Sequence, residues 1–233
     1  MRSLEALISR QVNRWNNLAQ VLRQESGATS RLKESPVDVA ARHPVICISR
    51  GLGAGAREVA ALICERIGYE LIGKSIIDEL ARDLNVQRQL IDSLDETARG
   101  GLELFLESNL RGCEIDNQEY FKSLVRIIKT LGIQGGIVIL GRGGSYILKE
   151  NAGLNVLLVA PLETRVRRLM RYASLDEAQA RRTIQNSDHG RLRFIKHHFG
   201  ADAHDPKHFD LCLNTETFPP PQAVELIFHA LEQ

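Results

Sequence analysis

The sequence lacks the features that would place it in a membrane, in an oxidising compartment or on a nucleic acid. No apolar run comes near the length of about 18 residues that a membrane-spanning helix needs. The N-terminus is amphipathic, whereas a signal peptide would have a continuous apolar segment there. The four cysteines form no CxxC pair, which argues against a disulfide framework. Thirty basic and 29 acidic side chains leave a net charge of +1, so no overall field attracts polyanions. We therefore expect a cytoplasmic globular protein that binds neither nucleic acid nor membrane.

Residues 1–43 are expected to form an amphipathic helix and a linker before the main domain. Apolar residues recur at alternating steps of four and three, with Gln11 as a polar interruption, at Leu4, Ile8, Trp15, Leu18 and Leu22. The following “ESGATSRLKESP” is typical of a linker. A helix of this length either packs on its own domain or on a second subunit, as in a homodimer, or binds a separate partner protein.

From residue 45 onward, short apolar runs alternate with helical periods. Strands are predicted at residues 45–49, 136–141, 155–161 and 210–215, with a short one in “YELIG”. Helices are predicted at residues 57–68, 75–84, 87–98, 100–111, 117–132 and 220–231. Strands separated by helices indicate a mainly parallel sheet with helices on both faces, a three-layer α/β/α fold over residues 44–233. Such folds bind ligands at the carboxyl ends of their strands.

The stretch “SRGLGAGARE” follows the first predicted strand and is a candidate phosphate-binding loop. Its glycines permit positive φ and allow backbone N–H groups to point at a phosphate at a helix N-terminus. The motif GxxxxGK[ST] is matched only in part. In one register, Arg57 takes the place of the lysine and Glu58 that of the hydroxyl residue; in the other, Gly53 and Gly55 align but Ala56 replaces the lysine. A tight turn without a ligand is the alternative.

Basic side chains are concentrated between residues 165 and 196, where nine Lys and Arg stand against three Asp and Glu. Ser174, with Glu177 three residues later, predicts the start of a helix that presents Arg181 and Arg182. These arginines either bind phosphate or form a solvated face with ordinary salt bridges.

Four stretches, “ISRGLGAGAREVA”, “GRGGSYIL”, “VLLVAPLETRVRRL” and “FDLCLNTETF”, together resemble the cytidylate kinase-like family, a branch of the P-loop nucleoside monophosphate kinases. The resemblance runs in matching order from about residue 45 to the C-terminus. It implies the P-loop kinase fold and transfer of the ATP γ-phosphate, with Mg²⁺, to a nucleoside monophosphate such as CMP. The segment “DHGR” matches the D-x-x-R of the family's helical lid, which would here span about residues 172–206.

The resemblance also implies roles for individual residues. The residues implied to bind phosphate are those of the glycine-rich loop and its neighbours, Arg50, Gly51, Gly53, Ala54, Gly55, Ala56, Arg57 and Glu58. The acceptor side is formed by Lys74, Asp78, Arg142 and Asp188. The catalytic candidates are Arg57, Arg182 and Arg191.

Two departures from the family pattern leave other functions open. The loop lacks both the lysine and the hydroxyl that normally contacts magnesium. Where the family usually has an aspartate in “YDK”, the stretch “LIGKS” has Gly73, and Asp78 one turn later is a candidate substitute. The alternatives are a nucleotide-binding regulatory protein with little or no kinase activity, and a kinase for a non-nucleotide acceptor.

No metal-binding side chains are predicted. The stretch “KHHFGADAHDPKH” is rich in histidine, and imidazoles at this density can bind zinc. However, Asp205 and Pro206 interrupt any helix face that His204 and His208 would share.

Four expectations concern the geometry of the site. The N–H groups of residues 53–57 should converge on one anion position. Residues 172–206 should be mobile without ligand, because unpaired cations repel each other until phosphate arrives. Arg57 should contact the donor phosphates and Arg50 the acceptor side. The arginines that should face the same cleft as the glycine loop are Arg181, Arg182, Arg191 and Arg193.

Overall fold

The computed structural model describes residues 44–80 and 118–232. The predicted helix in residues 1–43 and the predicted helices at residues 87–98 and 100–111 lie outside the described residues. Within the two described ranges, no helix combines the length and the apolar character that crossing a bilayer requires.

Five short apolar runs form one parallel sheet. Its strands are β1 (Ile46–Arg50), β2 (Glu70–Ile72), β3 (Ile137–Leu140), β4 (Leu154–Val159) and β5 (Leu211–Asn214), in the order β2-β3-β1-β4-β5. In the centre, Ile46 of β1 lies beside Val138 on one side and Leu154 on the other. Strands buried on both faces require near-continuous apolar sequence, which these runs have. The predicted parallel sheet is confirmed, including its short strand in “YELIG”.

Helices cover both faces of this sheet. They are α1 (Ala56–Ile67), α2 (Lys74–Leu80), α3 (Gln118–Gln134), α4 (Gly144–Leu148), α5 (Leu162–Ala173), α6 (Glu177–Phe199) and α7 (Pro220–Leu231). On one face, α1 and α7 bury Ile46 and Ile48; on the other, α3 and α4 pack in the cluster that contains Cys47. Successive residues of β1 therefore enter opposite cores, as the alternation of side chains along a strand requires. The predicted three-layer α/β/α fold is confirmed in the described residues.

The start of α6 differs from the prediction. Ser174 does not cap α6: it ends α5, with φ of 53° in the left-handed region. Asp176 is the N-cap, and its Oδ1 accepts from the Gln179 N–H at 2.8 Å while the Gln179 Oε1 accepts from the Asp176 N–H at 3.1 Å. Because Ser174 has left-handed backbone angles, it cannot also have the extended conformation of an N-cap. The capping box therefore forms two residues later, between Asp176 and Gln179.

Candidate functional site

The glycine loop, residues 51–55, connects the carboxyl end of β1 to α1. Gly53 and Gly55 have φ of 82° and 75°, conformations that other residues rarely adopt. The Ala54 N–H donates to the Gly51 carbonyl at 3.2 Å, which closes the turn. The prediction of strand, loop and helix start over residues 44–58 is confirmed.

Backbone N–H groups of the loop and of the first turn of α1 are left without internal acceptors. Among the described residues, no carbonyl or side chain accepts from the N–H groups of Gly53, Gly55, Ala56 and Arg57. Such groups at a helix N-terminus favour an anion because the unpaired donors and the helix dipole act in the same direction. The loop therefore has the donors that a phosphate cradle needs.

Asp188 of α6 connects the glycine loop to two arginines. Its Oδ1 accepts from the Leu52 N–H at 3.2 Å and from the Arg191 Nη1 at 2.9 Å. Its Oδ2 accepts from the Arg165 Nη1 at 2.5 Å, and Arg165 also donates to the Leu52 carbonyl at 3.3 Å. The Asp188 and Arg165 side chains are only 17% and 15% exposed, so this pairing is shielded from solvent screening. The carboxylate holds Arg191 beside the loop.

These contacts set the charge state of Asp188. Burial by itself raises the pKa of its carboxyl, but the hydrogen bonds from Arg165 and from the Leu52 N–H outweigh burial, and the pKa is lowered. Asp188 is therefore ionised at neutral pH.

The lowered pKa of Asp188 predicts a component of acid denaturation. A carboxyl whose pKa is lower in the folded than in the unfolded chain contributes stability above its unfolded pKa of about 3.9, and this is lost as pH falls through the folded pKa. Unfolding by urea, followed from about pH 7 to pH 3, should show a smaller loss of stability for Asp188→Asn than for the wild type. Equal acid slopes would contradict the assignment.

Arg168 and Thr215 support the other side of the glycine loop. Arg168 donates from Nη1 to the Thr215 hydroxyl at 2.8 Å and from Nη2 to the Thr215 carbonyl at 2.7 Å. The hydroxyl in turn donates to the Ala54 carbonyl at 2.9 Å. An added Cβ on Gly53 would lie 2.8 Å from the Arg165 carbonyl, so a larger residue does not fit there. Sequence reasoning missed this support; its signal was two arginines three residues apart on the helix after β4.

A second glycine-rich turn follows β3 and brings Arg142 to the site. Gly141, Arg142 and Gly143 all have positive φ, of 80°, 53° and 71°. For Arg142 this is a strained conformation, of the kind that occurs at functional sites. The Arg142 guanidinium donates to the Asp78 carboxylate, which also accepts from the Tyr120 hydroxyl at 2.7 Å. Arg142 and Asp78, both expected on the acceptor side, are thus brought together.

Arg50 lies at the centre of these contacts and has no carboxylate partner among the described residues. It leaves the end of β1, and its Nη1 would lie 1.8 Å from a Cβ at Gly141, so only glycine admits it there. Burial, together with the positive charges of Arg191 and Arg142, lowers the pKa of Arg50 to about 10. Three guanidinium groups are therefore close enough to repel, a cost that a bound dianion would remove.

The remaining site candidates have exposed side chains. Arg57 donates from Nη1 to the Tyr172 hydroxyl at 3.1 Å and lies against the end of α5. Glu58 in the first turn of α1 and Lys74 at the start of α2 are exposed. Arg182 and Arg193 of α6 are also exposed, and neither has a hydrogen-bond or ion-pair partner in the described part of the chain.

Arg181 does not behave as the sequence predicted. Its guanidinium is not an unpaired cation: it donates to Glu163 at 2.6 and 2.8 Å and to Glu177 at 2.8 and 2.9 Å. Glu177 lies one turn before Arg181 on α6, and Glu163 lies in the first turn of α5. Arg181 therefore forms ordinary surface ion pairs with these two carboxylates instead of being free to bind phosphate.

Arg181→Ala is therefore expected to be nearly silent. Exposed ion pairs contribute little, so Tm should change by no more than about 2 °C and the kinetic constants by less than about twofold. Thermal unfolding and steady-state kinetics test this expectation. The comparison variant is Arg191→Ala, which removes a guanidinium next to the glycine loop. A loss of activity in Arg181→Ala as large as in Arg191→Ala would contradict it.

The histidine-rich segment is not built as a metal site. In residues 44–80 and 118–232, no three His, Cys, Asp or Glu side chains are grouped so that they could hold a metal ion. His197 and His198 lie in the last turn of α6, whereas His208 lies in a separate short 3-10 turn, Pro206–His208.

Known proteins are similar to this chain in sequence and in fold. The sequence model of the cytidylate kinase-like family matches residues 45–217. A cytidylate kinase of Ignicoccus hospitalis is 26% identical over 78% of this chain and 96% of its own length; one of Sulfolobus acidocaldarius is 25% identical over 81% and 94%. A crystal structure of an uncharacterized protein from Eubacterium ventriosum has a TM-score of 0.61 at 19% identity and covers 82% of this chain and 99% of its own. This chain belongs to the cytidylate kinase-like family.

Proposed function

We propose that this protein transfers the γ-phosphoryl group of ATP to the phosphate of a nucleoside monophosphate, with CMP as the first acceptor to test. The observation that carries the proposal is Arg50, a half-buried guanidinium without a carboxylate partner in the described chain, near Arg142 and Arg191 and next to the glycine loop. Asp78 and Asp188 neutralise the charge of the three arginines only in part. The remaining positive charge fits an acceptor that is itself an anion. The relatives named cytidylate kinase support the choice of CMP.

The donor phosphates would bind at the glycine loop. The free N–H groups of Gly53, Gly55, Ala56 and Arg57 fit the oxygens of a polyphosphate. Arg57 can leave Tyr172 at little cost because both side chains are exposed. Magnesium would enter with ATP, held by phosphate oxygens and water, since the first turn of α1 offers Glu58 where a hydroxyl is usual. This replacement predicts slower turnover than in a complete phosphate-binding loop.

The acceptor phosphate would lie between Arg50, Arg142 and Arg191. Asp78 and Asp188 each orient one of the last two, so the guanidinium groups are held in place before the ligand arrives. An acceptor phosphate oxygen then attacks the γ-phosphorus, and the bond from this phosphorus to the β–γ bridging oxygen breaks. ADP and a nucleoside diphosphate result. Fixed positive charge lowers the repulsion between the two anions and stabilises the charge on the transferred group.

Arg57→Ala distinguishes the donor from the acceptor side. Loss of a charge-assisted phosphate contact costs about 1.5–3 kcal/mol, or roughly 10- to 100-fold in affinity. We expect this loss for ATP in calorimetric titrations, while CMP binding stays nearly intact. An unchanged ATP affinity would remove Arg57 from the donor site, and Arg171→Ala, an exposed arginine on α5, is the matched control.

The proposed activity is tested by ADP release with CMP, dCMP, UMP or AMP as acceptor, beside calorimetry with ATP and Mg²⁺. ADP release that depends on one of these acceptors is expected. Tight ATP binding without turnover on any acceptor would replace the proposal with a regulatory nucleotide-binding protein. Turnover only on a phosphate-free acceptor would replace it with a kinase of another class.

A further inference from the structure

The peptide group between Ala54 and Gly55 in the glycine loop is held by a side chain 161 positions away. Its carbonyl accepts from the Thr215 hydroxyl at 2.9 Å, while its N–H, on Gly55, has no acceptor among the described residues. This peptide is trans, like every peptide in the described residues. The carbonyl and the N–H of a planar trans peptide point in opposite directions. The hydrogen bond to Thr215 therefore turns the Gly55 N–H away from Thr215.

The Thr215 hydroxyl has one proton to donate, and Arg168 determines which carbonyl receives it. Arg168 donates from Nη1 to this hydroxyl at 2.8 Å and from Nη2 to the Thr215 carbonyl at 2.7 Å. A guanidinium has no acceptor, so the hydroxyl accepts this bond and uses its own proton elsewhere. The Val159 carbonyl is 3.3 Å away and already accepts from the Thr215 N–H at 2.8 Å. The Ala54 carbonyl, which is closer, is the acceptor.

Burial makes this hydrogen bond the only means of holding the peptide. Thr215 directly follows β5 and is fully buried, and its N–H extends the pairing with β4, so the sheet fixes its position. Ala54 is 1% exposed, so water cannot replace the hydroxyl at its carbonyl. A buried carbonyl that loses its donor is costly, and the peptide would turn to find another.

The preceding free N–H of the loop is oriented in the same way. The Leu52 carbonyl accepts from the Arg165 Nη1 at 3.3 Å, and the N–H of that peptide, on Gly53, is free in the described structure. Helix α5 thus acts on both peptides, through Arg165 directly and through Arg168 by way of Thr215. Because the loop has no lysine, backbone N–H groups supply a larger share of any phosphate contact, and their direction matters more.

We propose that Thr215 and Arg168 are positioning residues of the donor site. Arg168 directs the Thr215 hydroxyl onto the Ala54 carbonyl, and this bond aims the Gly55 N–H at the donor phosphates. Neither side chain contacts phosphate itself. The inference rests on the proposed binding of ATP at the glycine loop.

Thr215→Val tests this because valine keeps the shape of threonine and lacks the hydroxyl. In calorimetric titrations with Mg²⁺, ATP and inorganic triphosphate should each bind about three- to tenfold more weakly, while CMP affinity stays unchanged. Thr215→Ser, which retains the hydroxyl, should bind both within about twofold of the wild type. Ile128→Val, a truncation in the core on the other face of the sheet, controls for lost stability and should not change these affinities.

The peptide orientation and the part of Arg168 are measured separately. In ¹⁵N-labelled protein, triphosphate should shift the Gly55 amide proton downfield in the wild type and in Thr215→Ser, but much less in Thr215→Val. Arg168→Lys removes the two-pronged donation to Thr215 and should weaken triphosphate binding about as much as Thr215→Val does. The double variant should be no weaker than Arg168→Lys alone, because both changes break one chain of contacts.

The outcomes separate this proposal from the proposed activity. Equal triphosphate affinity in the wild type and Thr215→Val, equal losses in Thr215→Val and Thr215→Ser, or additive losses in the double variant would overturn the positioning role and leave the kinase activity standing. Weaker triphosphate binding by Thr215→Val, in a protein that transfers phosphate to no acceptor, would support the positioning role and reject the activity. A wild type that binds neither ATP nor triphosphate would overturn both.

Discussion

Arg50→Met is expected to make the free protein more stable and to abolish efficient use of the acceptor. Burial and the charges of Arg191 and Arg142 lower the pKa of Arg50 to about 10, which corresponds to about 3 kcal/mol of unfavourable interaction in the charged form. Because a base with a lowered pKa is destabilising wherever it is protonated, the cost is present at all pH values below that pKa. Relaxation of the structure will absorb part of it, so we expect Tm to rise by about 2–6 °C.

The same substitution removes a guanidinium from the proposed acceptor site. Loss of this contact should lower kcat/KM for CMP by at least about 10- to 100-fold, with ATP affinity nearly unchanged. Thermal unfolding in buffer free of phosphate and sulfate, and steady-state kinetics, measure the two effects. Arg182→Met, an exposed arginine on α6, is the matched control and should not raise Tm. A less stable Arg50→Met protein that still uses CMP normally would contradict the account.

Asp188→Asn is expected to be strongly destabilising and to weaken both nucleotide sites. The change leaves Arg165 and Arg191 without their shared carboxylate, and removal of one partner from a buried ion pair typically costs about 3–5 kcal/mol. Asp188 also accepts from the Leu52 N–H, so the glycine loop and Arg191 lose their common anchor. Urea unfolding measures the stability, and calorimetry with ATP and with CMP should show reduced affinity for both.

Asp176→Asn provides the control on the same helix. Asp176 is the exposed N-cap of α6, and asparagine caps nearly as well as aspartate, so this variant should lose less than about 1 kcal/mol. If the two substitutions have similar effects on unfolding, Asp188 is not the structural link between α6 and the glycine loop.

Local patterns in the sequence were sufficient to predict the fold. The run of β-branched residues before the glycine loop predicted β1, and Gly68 predicted the end of α1, which the structure confirms with φ of 69°. Such features depend on neighbours within a few positions. The start of α6 was missed because Ser174 and Asp176 both suit an N-cap, and only the end of α5 decides between them.

Contacts between distant segments could not be predicted in the same way. Nothing in the sequence near Arg181 shows that Glu163 lies beside it, or that Thr215 reaches the Ala54 carbonyl from 161 positions away. The burial of Arg50 likewise depends on the turn after β3. The sequence therefore identified the glycine loop and the arginine-rich segment, while the packing of the sheet and helices decides which arginine is paired and which is free.

Transfer of label from ATP to CMP tests the proposed activity most directly. The protein is incubated with ATP radiolabelled in its γ-phosphate, Mg²⁺ and CMP, and the nucleotides are separated. The account predicts that the label appears in CDP and that cytidine does not replace CMP, because cytidine offers no phosphate to the three arginines. Arg50→Met should slow the transfer by at least about 10- to 100-fold. Label that stays in ATP, or that is released only as inorganic phosphate whether or not CMP is present, would contradict it.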